Sequence, residues 1–125
     1  MKLKLKNNQM IMELIRKIRN WIANSKEVWE KPEGRVINGY EFALTSRACP
    51  EQYDVYKNDE YVAYVRLRHG ILTVTLCKNG EIDLDAEDIY EKHWDDEWLG
   101  NFPEKERKPL MCDIAKTIDK RLKNR

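Results

Sequence analysis

The sequence predicts one α+β domain in which an antiparallel β-meander sheet is packed by N- and C-terminal helices. Apolar residues recur at helical spacing near both ends, and short β-rich runs separated by turn residues fill the middle of the chain. With 125 residues, 42% of them hydrophobic, the chain is long enough to bury a core of its own. We therefore expect residues 1–125 to form a single domain, with residues 1–7 as a disordered tail.

The first helix is predicted to run from about Asn8 to Ser25. Its apolar residues recur at intervals of three, four and seven, which places them on one face, while basic and polar side chains cover the rest. Packing on the sheet is the simplest role for this face, although a cationic amphipathic helix also suits a membrane surface or nucleic acid. The apolar positions are Ile11, Leu14, Ile15, Ile18, Trp21 and Ile22.

The middle of the chain, from Arg35 to Leu84, reads as short strands joined by tight turns. Asn38-Gly39 and His69-Gly70 each indicate a two-residue hairpin turn, in which both central residues need a positive φ. The second turn pairs Leu67 with Leu72 and places the apolar residues of both strands on one face. The turn Lys78–Gly80 then leads to a further strand, Glu81–Leu84.

The connection between the third and fourth strands has two possible registers. A two-residue turn at Asn58-Asp59 would set Asp54 against Ala63, in the core. A three-residue loop, Asn58–Glu60, would pair Val55 with Ala63 instead. Because burying an unpaired carboxylate is costly, the sequence favours the three-residue loop.

The C-terminal helix is predicted mainly over residues 109–123. Pro109 should kink or restart any helix that begins earlier. The apolar positions that would face the sheet are Leu110, Met111, Ile114, Ala115, Ile118 and Leu122.

Charge is strongly segregated along the chain although the formal net charge is only +1. Residues 1–19 hold six basic side chains and one acidic one, a net of +5. Residues 81–100 hold nine acids and one lysine, a net of −8, and residues 101–125 hold eight bases and four acids, a net of +4. The balanced total argues against a uniformly basic nucleic-acid-binding domain.

The acidic stretch at 81–98 is the first candidate surface. Closely spaced carboxylates can steer a basic protein surface into contact, and tryptophan is favoured at binding hot spots. The alternative is that the acids neutralise the basic terminal helices while the tryptophans fill the core. The predicted partner-binding residues are Asp85, Asp88, Glu91, Trp94, Asp95, Asp96, Glu97 and Trp98.

The outer face of the meander is the second candidate. Arg66 and Arg68 lie two apart on one strand, so both guanidinium groups project the same way and could hold a phosphate or a base. The alternative is a solvated face on which Arg66 pairs with Asp54 or Glu51. The predicted nucleotide- or nucleic-acid-binding residues are Arg47, Tyr64, Arg66 and Arg68.

The sequence indicates neither an enzyme nor a cofactor-binding protein. It contains no nucleophile elbow, phosphate-binding loop, dinucleotide fingerprint or zinc-protease motif. A cation among Asp83, Asp85 and Asp88 would lack the glycine and the final glutamate of an EF-hand loop, so no metal is expected. Three cysteines without a pairing pattern and no hydrophobic leader predict a cytoplasmic protein with free thiols and no membrane association.

Residues 50–76, PEQYDVYKNDEYVAYVRLRHGILTVTL, resemble a pattern found in small proteins of phages and prophages. The resemblance implies a small, non-enzymatic accessory protein that inhibits a host system, for example in an anti-CRISPR or other anti-defence role. We therefore expect a binding protein whose acidic, tryptophan-framed surface engages a host protein. A nucleic-acid-binding protein of the host is one candidate for this partner. Nucleotide or nucleic-acid binding on the arginine face is the alternative.

Overall fold

The computed structural model describes residues 9–18, 28–83 and 86–124. Within these ranges the chain has the predicted α+β architecture, a single antiparallel sheet with a helix before it and a helix after it. Helix α1 comprises residues 9–18. The other elements are β1 (Gly34–Ile37), β2 (Tyr40–Leu44), β3 (Gln52–Lys57), β4 (Glu60–Arg68), β5 (Ile71–Leu76), β6 (Asp88–His93) and α2 (Glu104–Lys123).

The six strands lie in the sheet in the order in which they occur in the chain. Each strand therefore pairs with its sequence neighbours, and tight turns are sufficient for most connections. The predicted hairpin at Asn38-Gly39 pairs Ile37 with Tyr40, and the hairpin at His69-Gly70 pairs Leu67 with Leu72. Both predicted two-residue turns are confirmed, and so is the register predicted for the second hairpin, whereas β2 ends at Leu44 and not at the predicted Arg47.

One face of the sheet packs on helix α2 and encloses the core. Alternate residues of the central strands are buried there, as the two-residue side-chain period requires. Tyr53 lies at the centre of an aromatic cluster, with its ring centroid 6.1 Å from that of Phe42 and 5.9 Å from that of Phe102, both edge-to-face. Helix α2 adds the buried side chains Leu110, Met111, Ile114, Ala115 and Ile118.

The β3–β4 connection has the predicted register but not the predicted loop. Val55 pairs with Ala63, which keeps Asp54 out of the core. The turn nevertheless consists of two residues, Asn58 and Asp59, whose φ angles are 51° and 64°. A β-bulge that makes Val62 the extra residue restores the register. The three-residue loop was wrong because a bulge can change the register after a tight turn.

The acidic stretch supplies an edge strand that the sequence did not predict. Strand β6 pairs with β5, and Tyr90 lies opposite Val74 on the core face. The strand predicted at 81–84 is reduced in the described residues to a single bridge between Lys78 and Glu81, and Leu84 lies outside them. This strand was not predicted because charged side chains dominate its sequence and its inward-facing positions are only half-buried.

Helix α2 begins at Glu104, five residues before the predicted start, and Pro109 lies inside it. Pro109 removes one hydrogen bond to the carbonyl of Lys105, in an exposed turn where water can take its place. The neighbouring residues Arg107 and Leu110 are buried. Tertiary packing on both sides of the proline therefore outweighs its local effect.

Helix α1 does not bury its apolar stripe. The large apolar side chains of residues 9–18 are between 42% and 69% exposed, so the predicted packing of Ile11, Leu14, Ile15 and Ile18 on the sheet was wrong. Helix α2 already covers the apolar face of the sheet, and the opposite face presents mostly polar side chains. The predicted positions Trp21 and Ile22, like the tail 1–7, lie outside the described residues.

A buried ion pair joins four parts of the chain at one end of the core. Glu51, directly before β3, is fully buried and accepts hydrogen bonds from Nε and an Nη atom of Arg107 at 2.9 and 2.8 Å. The same carboxylate accepts from the backbone N–H of Phe102 at 2.9 Å and from the Tyr53 hydroxyl. Arg107 also donates to the carbonyls of Trp29 at 2.6 Å and Phe102 at 3.1 Å.

We expect Arg107→Met to lower the free energy of unfolding by about 3–5 kcal/mol, because it leaves the Glu51 carboxylate buried without a cation. Urea denaturation at neutral pH measures the change. The matched control is Arg121→Met, which removes the partner of Glu87 from an exposed ion pair and should cost about 0–1 kcal/mol.

The double variant Glu51→Met/Arg107→Met should lose less stability than the two single variants added together, since no uncompensated charge remains. Additive losses, or equal losses for Arg107→Met and Arg121→Met, would contradict a buried pair of this kind.

Four tyrosines have a pKa raised above the ordinary value of 10.0, and burial is the largest cause for each. For three of them a hydrogen bond from the hydroxyl to a carboxylate adds to the shift, as between Tyr61 and Asp54 at 2.9 Å. At alkaline pH the folded chain thus keeps phenolic protons that the unfolded chain loses. The four residues are Tyr40, Tyr53, Tyr61 and Tyr90.

We expect the free energy of unfolding to fall as the pH rises above about 10, because the contribution of raised phenol pKa values is complete below the unfolded pKa and is lost above it. Tyr61→Phe should show a smaller fall between about pH 9 and pH 11 than the unmodified chain. Urea denaturation across this range gives both slopes. Identical slopes would mean that the Tyr61 proton is not retained on folding.

Candidate functional site: the Trp98 loop and the arginine face

Asp95–Gly100 connects β6 to the segment before α2 and is here called the Trp98 loop. Three backbone hydrogen bonds fix the chain there to the rest of the domain. Gly70 donates to the carbonyl of Leu99 at 2.9 Å and accepts from the N–H of Trp94 at 2.8 Å, while Glu51 donates to the carbonyl of Gly100 at 2.6 Å. The loop is therefore held at both ends, by the β4–β5 turn and by the start of β3.

Gly70 is the point at which the β4–β5 turn and the Trp98 loop meet. Its φ is 72°, in the left-handed region that favours glycine, and a Cβ atom there would lie 2.3 Å from the carbonyl oxygen of Asp96. A side chain of any kind would push the loop away from the turn. The glycine is needed both for the turn and for the close approach of the loop.

The two tryptophans that flank the acidic triplet have different environments. Trp98 is 89% exposed. Trp94 is half-buried, packs against the core, and directs its indole N–H at a Glu106 carboxylate oxygen 3.4 Å away. Trp94 therefore belongs mainly to the core, as the alternative interpretation of the sequence proposed, and only Trp98 presents its ring to solvent.

The three carboxylates beside Trp98 keep their charge uncompensated. Asp95, Asp96 and Glu97 are exposed, and within the described residues none of them forms an ion pair. One oxygen of Asp96 accepts the backbone N–H of Trp98 at 2.9 Å, which fixes the backbone at the tryptophan. The loop thus combines one large apolar ring with three negative charges.

The structure does not bring the remaining predicted acids to this loop. Asp88 and Glu91 lie in β6 on the sheet face opposite to α2, where Asp88 accepts the Thr75 hydroxyl at 2.7 Å. Glu91 pairs with His93 at 2.7 Å. Asp85 lies outside the described residues. The predicted set is therefore divided between two surfaces.

The sheet face opposite to α2, here called the open face, carries Arg66 and Arg68 on β4. The cross-strand neighbours of Arg66 are Gln52 and Thr73, and Arg68 lies opposite Ile71. None of these neighbours is charged. The two guanidinium groups consequently share one side of the sheet without a carboxylate directly opposite.

The ion pairs that the sequence offered as an alternative for Arg66 do not form. Asp54 accepts the hydroxyl of Tyr61, and Glu51 is buried with Arg107. Within the described residues, the guanidinium of Arg66 makes neither a hydrogen bond nor an ion pair. The open face keeps this positive charge available to a ligand.

The other predicted residues of the arginine face have different surroundings. The hydroxyl of Tyr64 donates to the side chain of Gln52, the cross-strand neighbour of Arg66, at 2.7 Å. Arg47 lies in the loop after β2 and pairs with Glu33, so its guanidinium already has a carboxylate partner. Neither Arg47 nor Tyr64 is among the residues that line the depression around Arg66.

That depression, of about 280 Å³, is lined by Arg66, Arg68, His69, Ile71 and Thr73. Thr73 lies opposite Arg66, as the predicted register of the His69-Gly70 hairpin requires. His69 and Ile71 were not predicted as part of a site, although the same register places them beside Arg68. Nothing in the sequence indicated the pairing of Glu51 with Arg107, which lie 56 positions apart.

We expect Gly70→Ala to lower the free energy of unfolding by more than Gly39→Ala or Gly80→Ala, as measured by urea denaturation. All three glycines have a positive φ, but only at Gly70 does a Cβ meet another part of the backbone. Strain from φ alone should cost about 1–2 kcal/mol at each position, and the excess at Gly70 reports the contact with Asp96. Equal losses at the three positions would show that the loop does not depend on this contact.

The chain matches no protein-family description, no curated protein and no solved structure. In the part of the chain that the structure describes, no three His, Cys, Asp or Glu side chains form a group that could hold a metal ion. No described helix has the length and apolar character needed to cross a membrane.

Proposed function

We propose that this chain is a non-enzymatic protein-binding domain that docks on a basic surface of its partner through the Trp98 loop. The observation that carries the proposal is the exposed ring of Trp98, 89% accessible, on a loop whose ends are hydrogen-bonded to the domain. A large apolar ring in water gains free energy when a partner covers it, and tryptophan is enriched among binding hot spots.

The anchoring of the loop favours binding because it lowers the entropy that must be lost on association. Gly70 and Glu51 hold the two ends, and Asp96 fixes the N–H of Trp98. A ring that is already positioned needs less ordering than one on a free segment. The loop is thus suited to present Trp98 as a ready anchor.

The carboxylates of Asp95, Asp96 and Glu97 select the kind of partner. Three exposed negative charges without a cation beside them attract a surface rich in lysine and arginine and disfavour an acidic one. Proteins that bind nucleic acid carry such surfaces. The resemblance of residues 50–76 to phage and prophage proteins supports a host protein of this class as the partner, and an inhibitory outcome.

We expect Trp98→Ala to weaken the complex with such a partner by about 30-fold, the effect of losing a hot-spot residue worth about 2 kcal/mol. The partner is first identified by capture from host extract, then purified, and the dissociation constant is measured by isothermal titration calorimetry. Val36→Ala is the matched control, since Val36 is a 69% exposed apolar residue on the opposite edge of the sheet, and it should leave the dissociation constant unchanged.

Charge reversal of Asp95, Asp96 and Glu97 to lysine should abolish binding and slow association most strongly at low salt. The control reverses three exposed acids elsewhere, Glu41, Glu60 and Glu81. Thermal unfolding confirms that each variant is folded. If the loop-reversed chain still captures the same protein with unchanged affinity, the Trp98 loop is not the docking site.

A further inference from the structure

We propose that Arg66 and Arg68 form a binding site for the terminal phosphate of a mononucleotide on the open face of the sheet. This site is separate from the Trp98 loop and does not depend on the protein partner. It rests on three features of the structure: a pair of guanidinium groups without carboxylate partners, a depression around them, and a hydrogen-bonded tyrosine on the same face of the strand, two residues before Arg66.

The two arginines are held close together although their charges repel. They lie two residues apart on β4, so their Cα atoms are about 6.6 Å apart and their side chains project from the same face. Arg68 donates from Nε to Nε2 of His69 at 3.2 Å, and within the described residues neither arginine contacts a carboxylate. An anion bound between them would relieve this repulsion.

The depression around them offers donors suited to a phosphate group. Arg66, Arg68 and Thr73, which carry two guanidinium groups and a hydroxyl, are among the residues that line a space of about 280 Å³. A phosphomonoester carries nearly two negative charges and three acceptor oxygens, whereas a carboxylate carries one charge and two oxygens. Arginine pairs hold phosphate oxygens with two parallel hydrogen bonds each. The donor set therefore fits a phosphomonoester better than a carboxylate.

The surroundings of the depression favour a terminal phosphate over a nucleic-acid backbone. Glu91 lies opposite Thr73 on the next strand, and Asp54 lies opposite Tyr64. A polynucleotide crossing the sheet would bring further phosphates close to these carboxylates. A single phosphate between Arg66 and Arg68 brings one anionic group to this face instead of several.

Tyr64 provides the surface for the rest of the ligand. It lies two residues before Arg66 on the same face, and its hydroxyl is bound to Gln52 at 2.7 Å, so the ring has a fixed position. Bases stack on aromatic rings of this kind whatever their identity. A mononucleotide with its phosphate at the arginines can place its base against this ring.

The test is isothermal titration calorimetry with adenosine 5′-monophosphate in a phosphate-free buffer of low ionic strength. We expect saturable binding of one molecule per chain, weakened about tenfold or more by Arg66→Gln and by Arg68→Gln. Arg121→Gln, which removes a surface arginine on α2, should leave the affinity unchanged. Absence of saturable binding, or equal weakening by Arg121→Gln, would overturn the site.

Three further probes test which part of the ligand is recognised. Adenosine 3′,5′-cyclic monophosphate has the same base and sugar but a singly charged diester, and it should bind about tenfold more weakly. Inorganic phosphate should compete with the nucleotide at the arginines. Tyr64→Leu should weaken the nucleotide about fivefold or more and leave inorganic phosphate unaffected, with thermal unfolding as a check of the fold.

An oligothymidylate without terminal phosphates separates the mononucleotide from single-stranded nucleic acid. We expect it to bind more weakly than adenosine 5′-monophosphate at equal ionic strength. If the oligonucleotide or the cyclic nucleotide binds as tightly as the monophosphate, the arginines do not recognise a terminal phosphate and the proposal is wrong.

Discussion

The carboxylate of Glu51 is the constraint on which much of the structure depends. A charge that is fully buried is tolerated only when every acceptor position is used, and here Arg107, Tyr53 and the N–H of Phe102 supply the donors. Arg107 in turn reaches the carbonyl of Trp29, ahead of the first strand. Helix α2, the start of β3 and the segment before β1 are thereby fixed relative to one another, with a directionality that apolar packing does not provide.

The same residue connects the core to the Trp98 loop. The backbone N–H of Glu51 donates to Gly100, and its carbonyl accepts from Leu67 in the middle of the sheet. At the other end the loop is bound to Gly70, the turn that separates Arg68 from β5. The negatively charged loop and the positively charged open face are therefore attached to the same hairpin.

Most of the sheet could be predicted because the features that determine its strand pairing, the tight turns and the alternation of apolar residues, are local in the sequence. Two-residue turns with positive φ at Asn38-Gly39 and His69-Gly70 fix the register of their strands, and alternation then determines the core face. The parts that could not be predicted depend on distant partners. The ion pair of Glu51 with Arg107, the bulge at Val62 and the edge strand β6 each require knowledge of what lies opposite. The amphipathic pattern of helix α1 shows the converse, since a stripe predicts an apolar face but not what covers it.

The same distinction applies to the charges. Judged only by the density of charge in the sequence, the nine acids of residues 81–100 are equivalent. Their positions in the fold make them different. Glu87 pairs with Arg121 of the basic C-terminal helix, so part of the acidic charge is neutralised within the domain, and Glu91 is hydrogen-bonded to His93. The carboxylates of the Trp98 loop have no such cation in the described chain. An acid that is paired within its own fold has little left to offer a partner, whereas an unpaired one beside an exposed aromatic ring retains its full attraction for a basic surface. The distinction between a structural and a binding role for the acidic stretch therefore runs through the stretch itself, between strand β6 and the loop that follows it.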